Sequence, residues 1–406
     1  MEDKRQNISD LEKIKDNNEN GNTNSNKSNT GKICSIVTVL VFVMMLSFFT
    51  IISMLKPDTG YSDTENRVLK SKPEFSMDTL IKGEYTSAYQ EYVRDQFPWR
   101  KDFVRLKNYC EIAMGKSNIK DVLLCSDDYY IESHPRSNYE SEIANINKEA
   151  VVEFSGRYVE SLGEGHVSVM LVPTAQTVLN NRFKSGMVAY DQRDYIDSIA
   201  SQLGQTYVNV YDTLKPHDLE YIYYRTDHHW TTYGAYLAYL KWTEGRDIEP
   251  VTEDSIDKIE VTTDFLGTVN SKLNIPMETD TITQYIPRDV SFLLNYNMGM
   301  KKTKSFVDET FLDGKDKYSY FLGGNPGLVD ITSEFNNDKK LLIIKDSYAN
   351  CIVPVYAATF EKTYVVDLRY FNMDMDEFIE EYGITDILVM YNIDSFATDK
   401  YVKRLK

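Results

Sequence analysis

Apolar positions along the chain change their period several times, and each change marks an element. Ile33 to Leu55 carries no charged residue. At about 1.5 Å per helical residue it is long enough to cross a ~30 Å hydrocarbon core. Beyond it, Tyr61 to roughly Tyr139 mixes polar turns with helical stretches, the clearest of them Phe103, Val104, Leu106, Cys110 and Ile112. From about residue 140 the rhythm alters. Ile143, Ile146, Val151, Phe154, Tyr158 and Leu162 recur at helical spacing, and Val167 to Val172 then forms a short apolar run, broken only by Ser168 and closed by Pro173. Tyr195, Ile196, Ile199 and Leu203 predict another helix, and Tyr207 to Tyr211 another strand. A polar, irregular stretch over about 247–337 interrupts this alternation. It resumes with Leu341 to Ile344, a helix-like Ala349 to Phe360, Tyr364 to Leu368, a helix around Met375 to Tyr382, and Ile387 to Met390.

Helices interleaved with short, mostly apolar strands predict an α/β fold, a doubly wound parallel sheet with helices on both faces. The organisation expected is a stalk over 56–140 and one α/β domain over 141–406, with an insertion at about 247–337. In such sheets ligands bind outside the carboxyl ends of the strands.

Composition changes the picture mainly at the N-terminus. Residues 1–32 are rich in Asn, Lys, Ser and Asp and poor in apolar side chains, which predicts a disordered tail. Residues 33–55 then read as a transmembrane anchor. A cleaved signal peptide is the competing reading, but the run exceeds the usual ~7–15-residue apolar region and no A-x-A-like site follows it. Lys27 and Lys32 precede the span, whereas Lys56 after it is soon followed by Asp58, Asp63 and Glu65, so this small Lys/Arg bias predicts a single pass through the cell membrane, with a cytoplasmic N-terminus and the rest extracellular. The tail holds as many acidic as basic residues, so the net charge of −17 belongs to the exported part. An acidic ectodomain argues against nucleic acid, which requires a clustered basic face. One of the four Cys lies in the span. The other three permit at most one internal disulfide, and no Cys/His spacing suggests zinc.

Candidate chemistry concentrates in two stretches. Asp227-His228-His229-Trp230 places a carboxylate beside two of the five His of the chain, just before the helix-like Thr231 to Trp242. Leu341 to Ser347 reads as a buried strand ending in Asp346-Ser347 at the start of a helix, where free N–H groups could stabilise an oxyanion. Alone, the first stretch could be structural or bind a metal, and the second could be an ordinary helix cap. Together they supply a Ser nucleophile (Ser347), an imidazole base (His229) and a carboxylate to orient it (Asp227). No metal or other cofactor is expected.

These residues resemble the DHHW protein family, which in turn is similar to the SGNH-hydrolase-like alginate O-acetyltransferases (AlgJ/AlgX-like). Glu65-Asn66-Arg67, Asp95-Gln96-Phe97-Pro98-Trp99-Arg100 and Gly267-Thr268 look like further family signatures. The resemblance implies an SGNH-like fold and a Ser347–His229–Asp227 triad. It also implies Asn392 as an oxyanion donor, with Gly324 and Asn325 in a loop near the site. One departure is Lys345, where relatives often carry Gly before Asp-Ser. The activity implied is transfer of an acetyl group to hydroxyls of a cell-surface polysaccharide, in partnership with a polytopic membrane acyltransferase. A carbohydrate acetyl esterase, or a non-catalytic envelope polysaccharide-binding or scaffold protein, would fit the same residues.

Overall fold

The computed structural model describes residues 31–406 apart from Asp63 and Asn66. The tail expected to be disordered therefore lies almost wholly outside the described residues. The described residues form two compact units, one within 31–62 and 68–100, the other within 63–67 and 101–406. The boundary expected at 140 thus falls near residue 100. Residues 101–140 belong to the second unit because Ile119 and Val122 share a small core with Val269, Leu273 and Ile275.

In the first unit, α1 (Gly31–Leu55) is the one helix among the described residues long and apolar enough to cross a membrane. It is followed by α2 (Glu84–Gln96), whose start carries Gly83 in a left-handed conformation that suits glycine.

The second unit is a mixed α/β fold. Its elements include α3 (Glu142–Leu162), β1 (Val167–Val172), α4 (Arg193–Leu203), α5 (Thr232–Thr243) and the strands β2 (Ile256–Phe265), β3 (Asp280–Pro287), β4 (Leu293–Tyr296) and β5 (Lys301–Thr303). There follow β6 (Leu328–Thr332), β7 (Lys340–Lys345), α6 (Val353–Ala357), β8 (Lys362–Val366), α7 (Met375–Tyr382), β9 (Asp386–Asn392) and α8 (Ile393–Thr398). The central sheet runs β5-β4-β6-β8-β7-β9-β1. Strands β8, β7, β9 and β1 are mutually parallel, with β7 at the centre of the pairing Ile343 to Val365 and to Leu388. The other three are antiparallel, so the sheet is mixed and not wholly parallel as expected.

Strand alternation sorts side chains onto two faces. Met170, Val172, Leu341, Ile343, Leu388 and Met390 join one core with Tyr236, Tyr239 and Trp242 of α5. Val169, Leu171, Leu342, Ile344, Ile387 and Val389 join the other, with Phe154 of α3, Ile199 of α4 and Phe378 of α7. Burial on both faces explains why β1 and β9 read as mostly apolar runs.

Three expectations need correction. The stretch 247–337 is no simple interruption, since it supplies β4, β5 and β6 to the central sheet and pairs β2 with β3. Tyr207 to Tyr211 makes only a single bridge, Val169 to Tyr207. Beyond it Asn209 accepts the Asp212 N–H at 3.4 Å and turns the chain into a short helix, Tyr211–Leu214. The helix expected over Ala349 to Phe360 is broken into a 3-10 turn, Ser347–Cys351, and α6, which has Pro354 in its first turn.

Candidate active site

Strand β7 ends at Lys345, and the chain turns at once into the 3-10 segment that begins with Ser347. Asp346 caps this turn by accepting the Tyr348 N–H at 3.0 Å. Its other oxygen accepts the Asn392 N–H at 3.0 Å and the Asn392 amide at 2.6 Å. Ser347 is thereby fixed between two parallel strand ends. Its side chain is half-buried, and among the described residues its N–H, the first of the turn, donates to no other group.

The imidazoles do not come from the sheet edge. A loop closed by the bridge Tyr223 to Trp230 carries Asp227 to His229 and leads into α5, whose start is capped by Thr231. Trp230 is fully buried, and its Nε1 donates to the Tyr348 carbonyl at 2.7 Å. That bond joins the His-bearing loop to the Ser-bearing turn.

The result is a line of three groups. His229 Nε2 lies 2.8 Å from Ser347 Oγ. His229 Nδ1 lies 2.5 Å from Asp227 Oδ1, which also accepts the His229 N–H at 3.0 Å. With Nδ1–H donating to the carboxylate, the Nε2 lone pair faces the hydroxyl, a tautomer assigned from the bonding pattern. The other carboxylate oxygen accepts the Thr268 N–H at 2.8 Å and its hydroxyl at 3.0 Å. His228 turns aside to Thr268 Oγ1 at 2.7 Å.

Burial acts on this pair in opposite senses. For Asp227, burial favours the neutral acid, but the two imidazoles, the His229 hydrogen bond and the Thr268 N–H outweigh it and hold the carboxyl well below its usual range. For His229, burial and then the positive charge that His228 can carry push the imidazole down to about 4, against the pull of Asp227. His229 is therefore a neutral base at pH 7.

Asp227, His228 and His229 each offer a possible metal-ligand atom within 4.8 Å of one another. Both Asp227 oxygens already accept hydrogen bonds and His229 Nε2 faces Ser347, so a cation would have to displace these contacts.

Asn392 does not face the reacting groups as an oxyanion donor. Its amide donates to Asp346 and Ser395, and its oxygen caps α8. Its role is to orient Asp346. Gly324 and Asn325 are tied to the turn after Ser347, the Gly324 carbonyl and the Asn325 side chain both accepting from Asn350. Asn325 also accepts from the fully buried Lys345 at 3.2 Å, and Lys345 lies 3.7 Å from Asp367. Burial pushes the Lys345 ammonium down to about 8, against the attraction of Asp367. Lys345 thus ties down the Gly324-Asn325 loop.

Two contributors were not legible as site residues. Tyr318 stacks on the His229 ring at 3.7 Å and 12°, and its hydroxyl donates to the Ser347 carbonyl at 3.2 Å. Gly267 lies so close to Asp227 that a Cβ there would sit 2.3 Å from the carboxylate. The Gly267-Thr268 pair stands out in the sequence, but nothing local reveals what it touches.

The family profile described as DHHW protein matches residues 124–366. Among solved structures, a DHHW family protein from Eubacterium siraeum is similar at 30% identity and a TM-score of 0.54, covering 70% of this chain and 93% of its own. Bacillus cereus PatB1, solved with a sulfonyl adduct, is similar at 18% identity and a TM-score of 0.55, covering 69% of this chain and 98% of its own. A weaker likeness, at 11% identity and a TM-score of 0.42, links 70% of this chain to 98% of the O-acetyltransferase domain of Pseudomonas putida AlgJ. No curated protein matches.

Proposed function

The chain belongs to the DHHW protein family, and from that premise we propose that it is a membrane-anchored serine O-acetyltransferase acting on cell-surface polysaccharide. The observation that carries the reading is the 2.8 Å contact of a neutral His229 with Ser347, backed by Asp227 at 2.5 Å on the other ring nitrogen. In the first step Ser347 Oγ attacks the carbonyl carbon of an acetyl ester while its proton passes to His229 Nε2. Asp227 stabilises the imidazolium so formed, and the Ser347 N–H, which donates to no other group among the described residues, would stabilise the oxyanion. One such donor is worth about 2.7–4 kcal/mol in related chemistry. Collapse expels the donor alkoxide, which takes the proton from His229, leaving acetyl-Ser347 and neutral His229. In the second step His229 removes a proton from a sugar hydroxyl, which attacks the acetyl carbon, and returns that proton to Ser347 Oγ.

In this reading α1 anchors the protein with its N-terminus in the cytoplasm and the site outside. A polytopic membrane acyltransferase would supply acetyl groups, and a shared membrane would raise the effective concentration of the two proteins. Ser347 is half-buried and still open to solvent, an observation that favours hydrolysis as a second outcome. Without an acceptor, water takes the place of the sugar and the enzyme is an acetyl esterase.

The test uses the full chain in detergent with p-nitrophenyl acetate, with and without an oligosaccharide acceptor, and a sulfonyl fluoride as probe. Acetylation and sulfonylation of wild type that vanish in Ser347→Ala, with acetyl appearing on the acceptor, support transfer. Release of acetate whatever sugar is present supports the esterase. An undiminished rate in Ser347→Ala, or in His229→Ala, would sink both.

A further inference from the structure

The signature Asp95-Gln96-Phe97-Pro98-Trp99-Arg100 takes no part in the site described above. Within the first unit it gathers the end of α1. Gln96 Oε1 accepts the Thr59 N–H at 2.9 Å, while its amide donates to the Thr59 carbonyl at 3.0 Å and the Lys70 carbonyl at 3.1 Å. Asp95 accepts the Lys70 N–H at 3.0 Å. Two residues on, the aromatic rings reach back along α1. Phe97 stacks on Phe49 at 5.2 Å, and Trp99 lies parallel to Phe48 at 6.2 Å and 3°.

Phe48 and Phe49 are six or seven residues inside Leu55, about 10 Å along the helix. A ring stacked there lies below the end of the apolar span. Trp99 is nevertheless 50% exposed, and its φ of 54° is uncommon and strained for a bulky side chain. Gln96 and Phe97 of the same signature line an open cleft of about 520 Å³ between α1 and α2. Phe49, Tyr89 and Phe97 lie along it, and Lys56, Lys72 and Asp58 also line it, the Asp58 carboxylate accepting the Tyr92 hydroxyl at 2.9 Å. A trough with an aromatic wall and an excess of one positive charge, two ammonium groups against the Asp58 carboxylate, continues the apolar helix and matches a phospholipid, whose acyl chain follows the rings while its phosphate meets the ammonium groups.

We propose that residues 56–62 and 68–100 form a lipid-seated collar around the outer end of α1, with Trp99 in the acyl region of the outer leaflet and one phospholipid in the cleft. This rests on the anchor reading of α1 and is independent of the chemistry at Ser347. The tryptophans allow a direct test, because Trp230 and Trp242 are 0% and 1% exposed, leaving Trp99 as the accessible one of three. Full-length protein is reconstituted in vesicles of phosphatidylcholine and phosphatidylglycerol whose acyl chains carry bromine, and the membranes are also extracted with alkaline carbonate. The collar requires that the protein resist carbonate and that bromolipid quench an emission component absent in Trp99→Phe, with aqueous iodide leaving that component untouched. Release by carbonate, or loss of residues 31–55 from the intact mass, would overturn the anchor and the collar with it. Resistance to carbonate with Trp99 quenched by iodide and not by bromolipid would overturn the collar alone.

Discussion

Asp227 accepts hydrogen bonds on both oxygens, and each donor offers a separate handle on His229. Replacing Thr268 by Val keeps the volume but removes one donor to Asp227 and the partner of His228 Nδ1. The expected result is about a tenfold loss of kcat with protein stability nearly unchanged, read from steady-state p-nitrophenyl acetate kinetics and a thermal melt. Gly267→Ala is harsher, since its methyl would overlap the carboxylate itself. A loss of kcat of at least a hundredfold is expected there, and activity near wild type would show that Asp227 is not needed. The pH profile tests His229. Its depressed proton affinity, driven by burial and then by His228, keeps the base form populated well below the ~6.5 of a free imidazole. Activity should stay flat as pH falls through 6.5 and decline only toward the folded value of about 4. His228→Ala removes a positive neighbour and should move that acid limb to higher pH.

At the level of elements, the site depends on how α5 and the turn after β7 are joined. Trp230→Phe removes the Nε1 bond to the Tyr348 carbonyl and leaves a buried acceptor without its main partner, a change worth about 1–3 kcal/mol in urea unfolding. It should also lower kcat, because the His-bearing loop and the Ser-bearing turn would no longer be held in register. Asp227, His229 and Ser347 were legible because a carboxylate beside an imidazole and a hydroxyl at the end of an apolar strand have few other common uses. Tyr318 was not, because its ring reaches His229 through a contact between residues 89 positions apart in a chain rich in Tyr. Asn392 was placed at the right strand end but given the wrong partner. Its amide serves Asp346 and its oxygen caps α8, and that competition is invisible without the register of β7 and β9. The antiparallel strands β4 to β6 escaped notice for another reason. They are short and only partly apolar, as in the exposed or half-buried positions of Lys301–Thr303, so no sustained period betrays them.

The whole chain divides its labour. Every group of the proposed triad and every residue that touches it lies in the second unit. A chain starting at residue 101, which drops only residues 63–67 of that unit and none of the groups around Ser347, is therefore expected to keep ester hydrolysis within about threefold of wild-type kcat/KM while losing membrane association, measured by activity and vesicle flotation. The division was partly legible, because the apolar span and the α/β rhythm are separate signals. The boundary was not, since residues 101–140 lack that rhythm and join the second unit through long-range contacts such as Ile119 and Val122 with Leu273.

The His229 ring is held between His228 at 3.9 Å and Tyr318 at 3.7 Å while Asp227 grips its far nitrogen. Such a ring cannot turn over between half-reactions, so the proton must leave by the face through which it came. In the proposed reaction, donor alcohol and acceptor alcohol would therefore occupy one place in succession. The kinetic signature is ping-pong: parallel lines in double-reciprocal plots, and an acceptor that at high concentration competes with the donor for the free enzyme.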